Sequence, residues 1–176
     1  MPSSTSRTPA SAEADLLVRG STVTLETVDP LSPSAQQAVG AYFAELDRRF
    51  PDGFDAVGQG AKDAQLLAAP HGAFVVAVSD GVPVACGGVQ TIGEGSERYA
   101  EVKRMWVHDD WRGAGLGSRL LRHLESLARD LGHAVVRLDT NDHLTEAIAM
   151  YRRAGYAEVA RYNDNPYARH FFEKAL

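Results

Sequence analysis

The sequence contains little of what marks secreted or metal-bound proteins. Cys86 is the one cysteine among 176 residues, so the chain can form no internal disulfide and no cysteine cluster for a metal. The six histidines follow no metal-ligand spacing. Residues 1–14 are rich in Ser, Thr, Pro and Ala and hold no apolar run, which predicts a disordered leader rather than a signal peptide or membrane anchor. We therefore expect a cytoplasmic protein without metal or membrane contact.

The sequence also has no large excess of positive or negative charge. The net charge is −5, and no block of like charges stands out. Nucleic-acid backbones are bound through clustered cations, so we expect no nucleic-acid partner. The slight acidic balance would suit a small cationic amine as substrate. A chain of this length that is 44% hydrophobic can bury one core, which predicts a single domain over 15–176.

Hydrophobic periodicity predicts an alternation of strands and helices. Strands are predicted at 16–28, 73–78, 82–90, 99–107, 134–138, 156–161 and 169–174, and helices at 35–49 after a Ser34 cap, 61–69, 116–131 and 145–153. Asp80-Gly81 between two apolar runs is typical of a hairpin. Early hairpins followed by a strand, helix, strand, helix order predict an α+β fold, with a mixed sheet of about six or seven strands covered by helices.

A glycine-rich loop, Arg112-Gly-Ala-Gly-Leu-Gly117, lies between a predicted strand and the clearest helix. The first N–H groups of a helix are unpaired, and glycines let a phosphate approach the backbone closely. Arg112 would add a charge-assisted contact. The loop can hold a pyrophosphate or simply make a tight turn. A dinucleotide fingerprint would need glycine where the chain has Ser118, and a Walker loop would need Gly-Lys-Ser or Gly-Lys-Thr, which is absent.

The chain resembles the GNAT superfamily of N-acetyltransferases in three segments. These are Glu101-Val-Lys-Arg-Met-Trp-Val107, the loop Arg112 to Gly117, and Asn141 with Ala147-Ile-Ala-Met-Tyr-Arg-Arg-Ala-Gly-Tyr156. The match covers about 72–176. It implies a three-layer α/β/α arrangement with about four helices, whose sheet splays between its fourth and fifth strands. It further implies that acetyl-coenzyme A lies in the gap and that its acetyl group passes to a primary amine.

The resemblance also implies a set of cofactor contacts. The backbone of Met105 to Val107 would hydrogen-bond the pantetheine arm, and an N–H near Met105 would stabilise the oxyanion of a tetrahedral intermediate. Asn141 matches a position that contacts the arm or a water, although Asn141-Asp142 also suits a turn. The predicted contact residues are Met105, Trp106, Val107, Arg112, Gly113, Ala114, Gly115, Leu116, Gly117, Ser118, Asn141, Ala147 and Tyr151.

Two residues are predicted to move protons, because the amine must lose a proton and the leaving thiolate gains one. Tyr151 matches the general acid of the family, although it shares a helix face with Ala147 and would also serve as a packing aromatic. Glu101 matches a glutamate that acts as base, often through water. It would otherwise be a solvated glutamate at a strand start. By alternation Glu101, Lys103 and Met105 share one face, so Lys103 would pair with Glu101, which counts against a base role.

Two variable segments, 50–60 and 162–167, are expected to face the amine. Acids there would attract a cation, and aromatic rings would form walls or cation–π contacts, although ordinary loops carry the same residues. The acids are Asp52, Asp55 and Asp164, and the rings are Phe54, Tyr162 and Tyr167.

Three other functions remain open at this point. They are transfer of a longer acyl group, acetylation of a protein, and a non-catalytic module that binds acetyl-coenzyme A. We also expect Cys86 to be buried, and the strand 169–174 with Phe171 and Phe172 would be able to contribute to a homodimer.

The glycine loop generates the first prediction. Gly115→Glu should abolish binding of coenzyme A, because the side chain adds bulk and a negative charge where a phosphate is expected. Calorimetric titration measures the affinity, and circular dichroism serves as the check that the variant is folded. Undiminished affinity in the folded variant would refute the assignment of the loop.

Overall fold

The computed structural model describes residues 9–57 and 64–176. Those residues form four α-helices and seven strands. The helices are α1 (Pro9–Thr22), α2 (Pro33–Arg49), α3 (Leu116–Asp130) and α4 (Thr145–Arg153). The strands are β1 (Leu25–Val28), β2 (Gly72–Ser79), β3 (Val82–Ile92), β4 (Tyr99–Val107), β5 (Val135–Thr140), β6 (Ala157–Glu158) and β7 (His170–Ala175).

The strands form one mixed sheet in the order β1-β2-β3-β4-β5-β7-β6. Every neighbouring pair is antiparallel except β4 and β5, which run parallel because α3 crosses between them. The parallel pairing covers only Ala100 with Val136 and Glu101 with Arg137. Beyond those residues the two strands separate. The predicted splay between the fourth and fifth strands is therefore confirmed, and it opens a cleft at the carboxyl ends of both strands.

Helices cover both faces of the sheet, as the α/β/α prediction requires. On one face, α3 buries a leucine stripe that continues into Ile148 and Tyr151 of α4. On the other face, Ala35 and Ala38 of α2 pack against Trp106. The stripe consists of Leu116, Leu120, Leu121 and Leu124. It arises from the three- and four-residue apolar spacing of the sequence, and it gives α3 one continuous buried side.

A β-bulge interrupts β4 at Arg104. Cys86 faces Trp106 and Gly88 faces Lys103, so β4 carries one residue more than β3 across this stretch. Arg104 adopts a positive φ of 54°. The extra residue shifts the alternation, and Met105 packs with the α3-side cluster while Trp106 packs with the α2-side cluster. The expectation that Met105 shares a face with Glu101 and Lys103 is therefore wrong.

The amino-terminal prediction is wrong in its secondary structure. The strand expected at 16–28 is a helix, α1, through Thr22, and only Leu25–Val28 is a strand. Residues 9–14 of the predicted leader also belong to α1, and residues 1–8 lie outside the described chain. Contacts far along the sequence stabilise this helix. The Arg19 guanidinium stacks 4.4 Å from the Trp111 ring, and Arg119 donates to the Gly20 carbonyl oxygen at 2.6 Å.

The bounds of several other elements also differ slightly from the prediction. The α2 cap is Ser32, whose hydroxyl accepts from the Ala35 N–H at 3.3 Å, rather than Ser34. In the helix predicted at 61–69, residues 61–63 lie outside the described chain and 65–67 form a turn. The strand predicted at 156–161 is reduced to Ala157–Glu158. The hairpin is confirmed, with positive φ at Asp80 and Gly81.

The carboxyl-terminal strand lies inside the sheet. β7 pairs with β5 on one side and β6 on the other. Phe171 and Phe172 are buried within the protomer, and a homodimer contact through this strand remains a prediction. Cys86 is buried as predicted, and burial raises the pKa of its thiol to about 12. None of the helices in the described ranges combines the length and the apolar character that crossing a membrane requires.

Candidate active site

The splay between β4 and β5 leads into a cavity of about 390 Å³, which we call the loop cavity. It reaches from the glycine loop to the face of α4. Most of the predicted cofactor residues line it: Met105, Trp106, Val107, Arg112, Gly113, Gly115, Gly117, Ser118, Ala147 and Tyr151. Ala114 and Leu116 do not, because both side chains are buried against the protein. Asn141 lies on a neighbouring cavity instead.

The glycine loop has the backbone conformation that glycine permits. Gly113 and Gly115 have φ of 79° and 74°, in the left-handed region. A Cβ at either position would meet no atom within 4 Å, so backbone conformation rather than space favours glycine there. Gly115 caps α3, and Gly117 and Ser118 follow in its first turn on the cavity wall. First-turn N–H groups have no intrahelical acceptor and can bind an anion.

Arg112 is held by protein groups in this structure. Its Nε donates to the Val107 carbonyl oxygen at 3.1 Å, and its guanidinium forms ion pairs with Asp109, at 2.5 Å, and with Glu45. These contacts tie the start of the glycine loop to β4 and to α2. A phosphate contact by Arg112 remains a prediction, and its evident role here is to position the loop.

Glu45 is a site residue that the sequence analysis missed. It is 8% exposed, and its carboxylate accepts from Trp106 Nε1 at 2.8 Å and from Arg49 Nη1 at 3.2 Å, in addition to Arg112. Arg49 also donates to Glu146 of α4 at 2.7 Å, so this network spans the cavity. The signal was present in the sequence, since Glu45 lies three residues after Tyr42 on the buried stripe of α2.

Helix α1 supports the loop from behind. Gly20 packs so closely on Ala114 that an added Cβ would lie 2.4 Å from the Ala114 carbonyl oxygen. Arg119 of α3 donates to the carbonyl oxygens of Gly20 and Val23. The residue before the Gly115 cap therefore rests directly on α1, an element that was predicted as leader and strand.

A second cavity, of about 300 Å³, adjoins the first, and we call it the acceptor cavity. The two cavities share Tyr42, Leu46, Met105, Leu144, Ala147 and Tyr151. The acceptor cavity has an aromatic wall formed by Phe43, Phe50, Phe54 and Tyr167, and its charged lining residues are Lys103, Arg104 and Asp139. Two compartments therefore meet at the Tyr151 side chain.

The Tyr151 hydroxyl has surroundings suited to a proton donor. The side chain is 5% exposed, and its oxygen lies 4.0 Å from Met105 Sδ. Burial, with a smaller contribution from the Asp139 carboxylate, raises the pKa of Tyr151 far above its ordinary value. The phenol is therefore protonated at neutral pH. Burial likewise raises the pKa of Tyr42, a second cavity tyrosine that the sequence analysis did not single out.

Glu101 lies apart from this junction. It is 4% exposed, accepts from Gln90 Nε2 at 2.9 Å and from Asn163 Nδ2 at 3.2 Å, and approaches Lys103 Nζ at 3.4 Å. The expected pairing with Lys103 is thus confirmed. In the described chain Glu101 is on the wall of neither cavity, because it lies where β4 is still paired with β5.

Asp139 is the carboxylate that does line the acceptor cavity. It stands near the end of β5 and accepts from Asn163 Nδ2 at 2.5 Å and Asn165 Nδ2 at 2.9 Å. The sequence analysis missed it, although a polar residue at the carboxyl end of a strand two positions before Asn141 was a usable signal. Asn141 itself donates to the Tyr167 carbonyl oxygen at 2.6 Å and accepts from the His143 N–H, as a turn residue does.

The predicted substrate segments contribute unequally. Phe54 and Tyr167 line the acceptor cavity, whereas the Tyr162 ring packs between Tyr99 and Phe171. The three acids of those segments, Asp52, Asp55 and Asp164, are on neither cavity wall of the described chain. Among residues 9–57 and 64–176, no three His, Cys, Asp or Glu side chains are grouped as metal ligands.

Comparison with known proteins agrees with this geometry. A model of the Acetyltransferase (GNAT) family matches residues 40–156. The chain is 37% identical over 157 residues to an IAA acetyltransferase of Azospirillum brasilense, covering 88% of this chain and 98% of that protein. It is 36% identical over 93 residues to the N-alpha-acetyltransferase RimI of Mycobacterium tuberculosis, covering 53% of this chain and 57% of RimI.

Solved structures share the fold. A GNAT-family acetyltransferase of Staphylococcus aureus superposes with a TM-score of 0.71 at 16% identity, covering 86% of this chain and 99% of the other. Naa50 of Arabidopsis thaliana, in complex with the bisubstrate analogue CoA-Ac-MVNAL, superposes with a TM-score of 0.62 at 17% identity, covering 88% and 99%. The chain belongs to the GNAT family and is an acyl-coenzyme A-dependent N-acetyltransferase.

The contact between α1 and the loop generates a prediction. Gly20→Ala should weaken coenzyme A binding several-fold, because the new methyl group meets backbone atoms of Ala114 and displaces the residue that precedes the α3 cap. Gly40→Ala is the matched control, since a Cβ at Gly40 of α2 meets nothing within 4 Å. Calorimetric titration compares both variants with the unaltered protein. Equal affinity in all three would show that α1 does not position the loop.

Proposed function

We propose that the protein acetylates the primary amine of a small molecule by direct attack in a ternary complex with acetyl-coenzyme A. The observation that carries this proposal is the junction of two cavities at Tyr151. One compartment has an anion-binding loop at its far end, and the other has an aromatic wall and charged side chains. A donor and an acceptor would therefore meet beside a single buried phenol.

The loop cavity suits coenzyme A. Gly115, Gly117 and Ser118 would hold the pyrophosphate through backbone N–H groups. Beyond Glu101, β4 has no partner in β5, so the backbone of Met105 to Val107 lies beside the cleft where an extended arm would pass. When bound, acetyl-coenzyme A supplies an acetyl thioester, whose carbonyl carbon becomes bonded to the amine nitrogen as the C–S bond breaks.

Tyr151 is proposed as the general acid. Its hydroxyl keeps its proton at neutral pH because burial raises its pKa, and it lies where the two cavities meet. A departing thiolate there would take that proton. Asp139 is proposed to orient the amine and to accept its proton, directly or through water. Glu101 remains a second candidate for the base, and it would have to act through water because it is on neither cavity wall.

A second candidate acceptor is a protein amino terminus. The similarity to RimI favours it, since that relative is named as an N-alpha-acetyltransferase. The small-molecule proposal is supported by the acceptor cavity, of about 300 Å³, and by the IAA acetyltransferase, which the chain matches over 98% of that protein's length. We also propose that the protein acts in the cytoplasm.

Calorimetric titration tests the cofactor assignment. We expect acetyl-coenzyme A to bind with micromolar affinity and free adenosine nucleotides to bind far more weakly, because the cleft beside β4 would contribute through the pantetheine arm. Thiol release with a panel of amines would then detect transfer. A folded protein that binds no coenzyme A species would disprove the proposal, and binding without transfer to any amine or peptide would indicate a non-catalytic module.

Replacement of the phenol tests the acid role. Tyr151→Phe should lower turnover by about 100-fold or more while leaving coenzyme A affinity nearly unchanged, because only the transferable proton is removed. The unaltered enzyme should not lose activity through ionisation of Tyr151 below about pH 10, since the folded pKa lies above the ordinary value of tyrosine. Stopped assays of thiol release across pH would measure both effects.

Tyr156→Phe is the matched control for that experiment. Tyr156 packs 5.9 Å from the Tyr151 ring but lines neither cavity, so loss of its hydroxyl should leave turnover close to normal. Equal activity in Tyr151→Phe and the unaltered protein would remove the tyrosine from the mechanism.

A further inference from the structure

Three arginines line the loop cavity in the described part of the chain, Arg49, Arg112 and Arg153. The acids on the same wall are Glu45 and Glu146. Coenzyme A carries a pyrophosphate and a ribose 3′-phosphate, and a guanidinium binds phosphate oxygens through charge-assisted hydrogen bonds. An arginine that the acids leave unpaired would therefore contribute most to the affinity for this ligand.

Two of the three arginines are held by carboxylates. Arg49 pairs with Glu45 at 3.2 Å and with Glu146 at 2.7 Å. Arg112 pairs with Glu45 and with Asp109. A phosphate that approached either guanidinium would compete with these carboxylates for the same N–H donors. In this structure both arginines join α2 to the elements on the other side of the cavity.

Arg153 differs from the other two arginines. It is exposed, and none of residues 9–57 and 64–176 forms an ion pair or a hydrogen bond with its side chain. A guanidinium in this state keeps its full set of N–H donors for a ligand. It presents them in a planar fork, which matches the oxygens of a phosphate.

Arg153 also lies close to the glycine loop. Gly117 is in the first turn of α3, and a Cβ there would lie 3.2 Å from Met150 Sδ of α4. Arg153 follows Met150 by three residues, so both side chains lie on the same side of α4. Both line the loop cavity together with Gly117 and Ser118. The Arg153 side chain therefore begins one helical turn from the contact between α4 and the start of α3.

We propose that Arg153 binds a phosphate of coenzyme A and is the principal cation of the cofactor site. The first-turn N–H groups of α3 carry only the partial charge of a helix terminus, so a full positive charge on α4 would complement them. This inference rests on the placement of coenzyme A in the loop cavity under the proposed function. The phosphate is the pyrophosphate or the ribose 3′-phosphate, and removal of the 3′-phosphate distinguishes the two.

Arg152 provides a matched control. It is the neighbouring exposed arginine in the last turn of α4, but it pairs with Glu158 at 3.1 Å and lines neither cavity of the described chain. Both arginines stabilise the carboxyl end of the helix through its dipole. A purely structural role therefore predicts the same small effect for either substitution, whereas a phosphate contact predicts an effect at Arg153 alone.

Calorimetric titration with coenzyme A tests the contact. Arg153→Gln should weaken binding about 10-fold, the factor expected when one charge-assisted contact is lost. Arg153→Lys should retain part of the affinity, because it keeps the positive charge. Arg152→Gln should bind as tightly as the unaltered protein. The loss in Arg153→Gln should become smaller as the salt concentration rises, since salt screens an exposed contact.

The same titration with 3′-dephospho-coenzyme A identifies the phosphate. If Arg153 binds the 3′-phosphate, the unaltered protein should bind this ligand about 10-fold more weakly than coenzyme A, and Arg153→Gln should bind the two ligands equally. If Arg153 binds the pyrophosphate, Arg153→Gln should weaken the binding of both ligands by the same factor.

The outcomes separate this inference from the proposed function. Equal affinity for coenzyme A in Arg153→Gln and the unaltered protein would overturn the phosphate contact and leave the cofactor site standing. Equal losses in Arg153→Gln and Arg152→Gln would do the same. Absence of coenzyme A binding to the unaltered, folded protein would overturn both. Circular dichroism serves as the check that each variant is folded.

Discussion

The site depends on a parallel strand pair that stops early. β4 and β5 are joined at two residue pairs, and their separation beyond Glu101 creates the cleft that both cavities share. Had the pairing continued, β5 would have occupied the side of β4 where an extended ligand can bind. The bulge at Arg104 acts on the same stretch, since it turns Met105 toward α3 and α4 and brings Arg104 to the acceptor cavity.

Around this cleft, charged and close-packed contacts hold the loop in position. Glu45 joins Trp106, Arg49 and Arg112, and so links α2 with β4 and with the start of the glycine loop. Removing one partner of such a buried network leaves charges unpaired, which costs more than the network itself contributes. The close contact of Gly20 with Ala114 adds a steric limit from α1. The loop therefore depends on residues that the GNAT resemblance did not cover.

Net charge is a poor guide to which charged side chains line the acceptor cavity. The chain carries −5 overall, yet its acceptor cavity holds two cations and one carboxylate. The acids expected to attract an amine, Asp52, Asp55 and Asp164, lie away from both cavity walls. Binding responds to the few charges that face the ligand, while distant surface charges are screened by salt. Only folding shows which of the 23 acidic residues those are.

The sequence by itself determined the elements with strong periodicity and the loop with its flanking motifs, because local spacing encodes them. It thus predicted α3, α4 and β4, and the GNAT resemblance carried by those motifs implied the splay and the family. Tertiary structure alone decided the helical state of Pro9–Thr22, the shifted face of Met105, and the placing of Asp139 rather than Glu101 on the cavity wall. Each of these three features depends either on contacts between residues far apart in the chain or on one extra residue in a strand. Neither kind of cause produces a periodic pattern in the sequence.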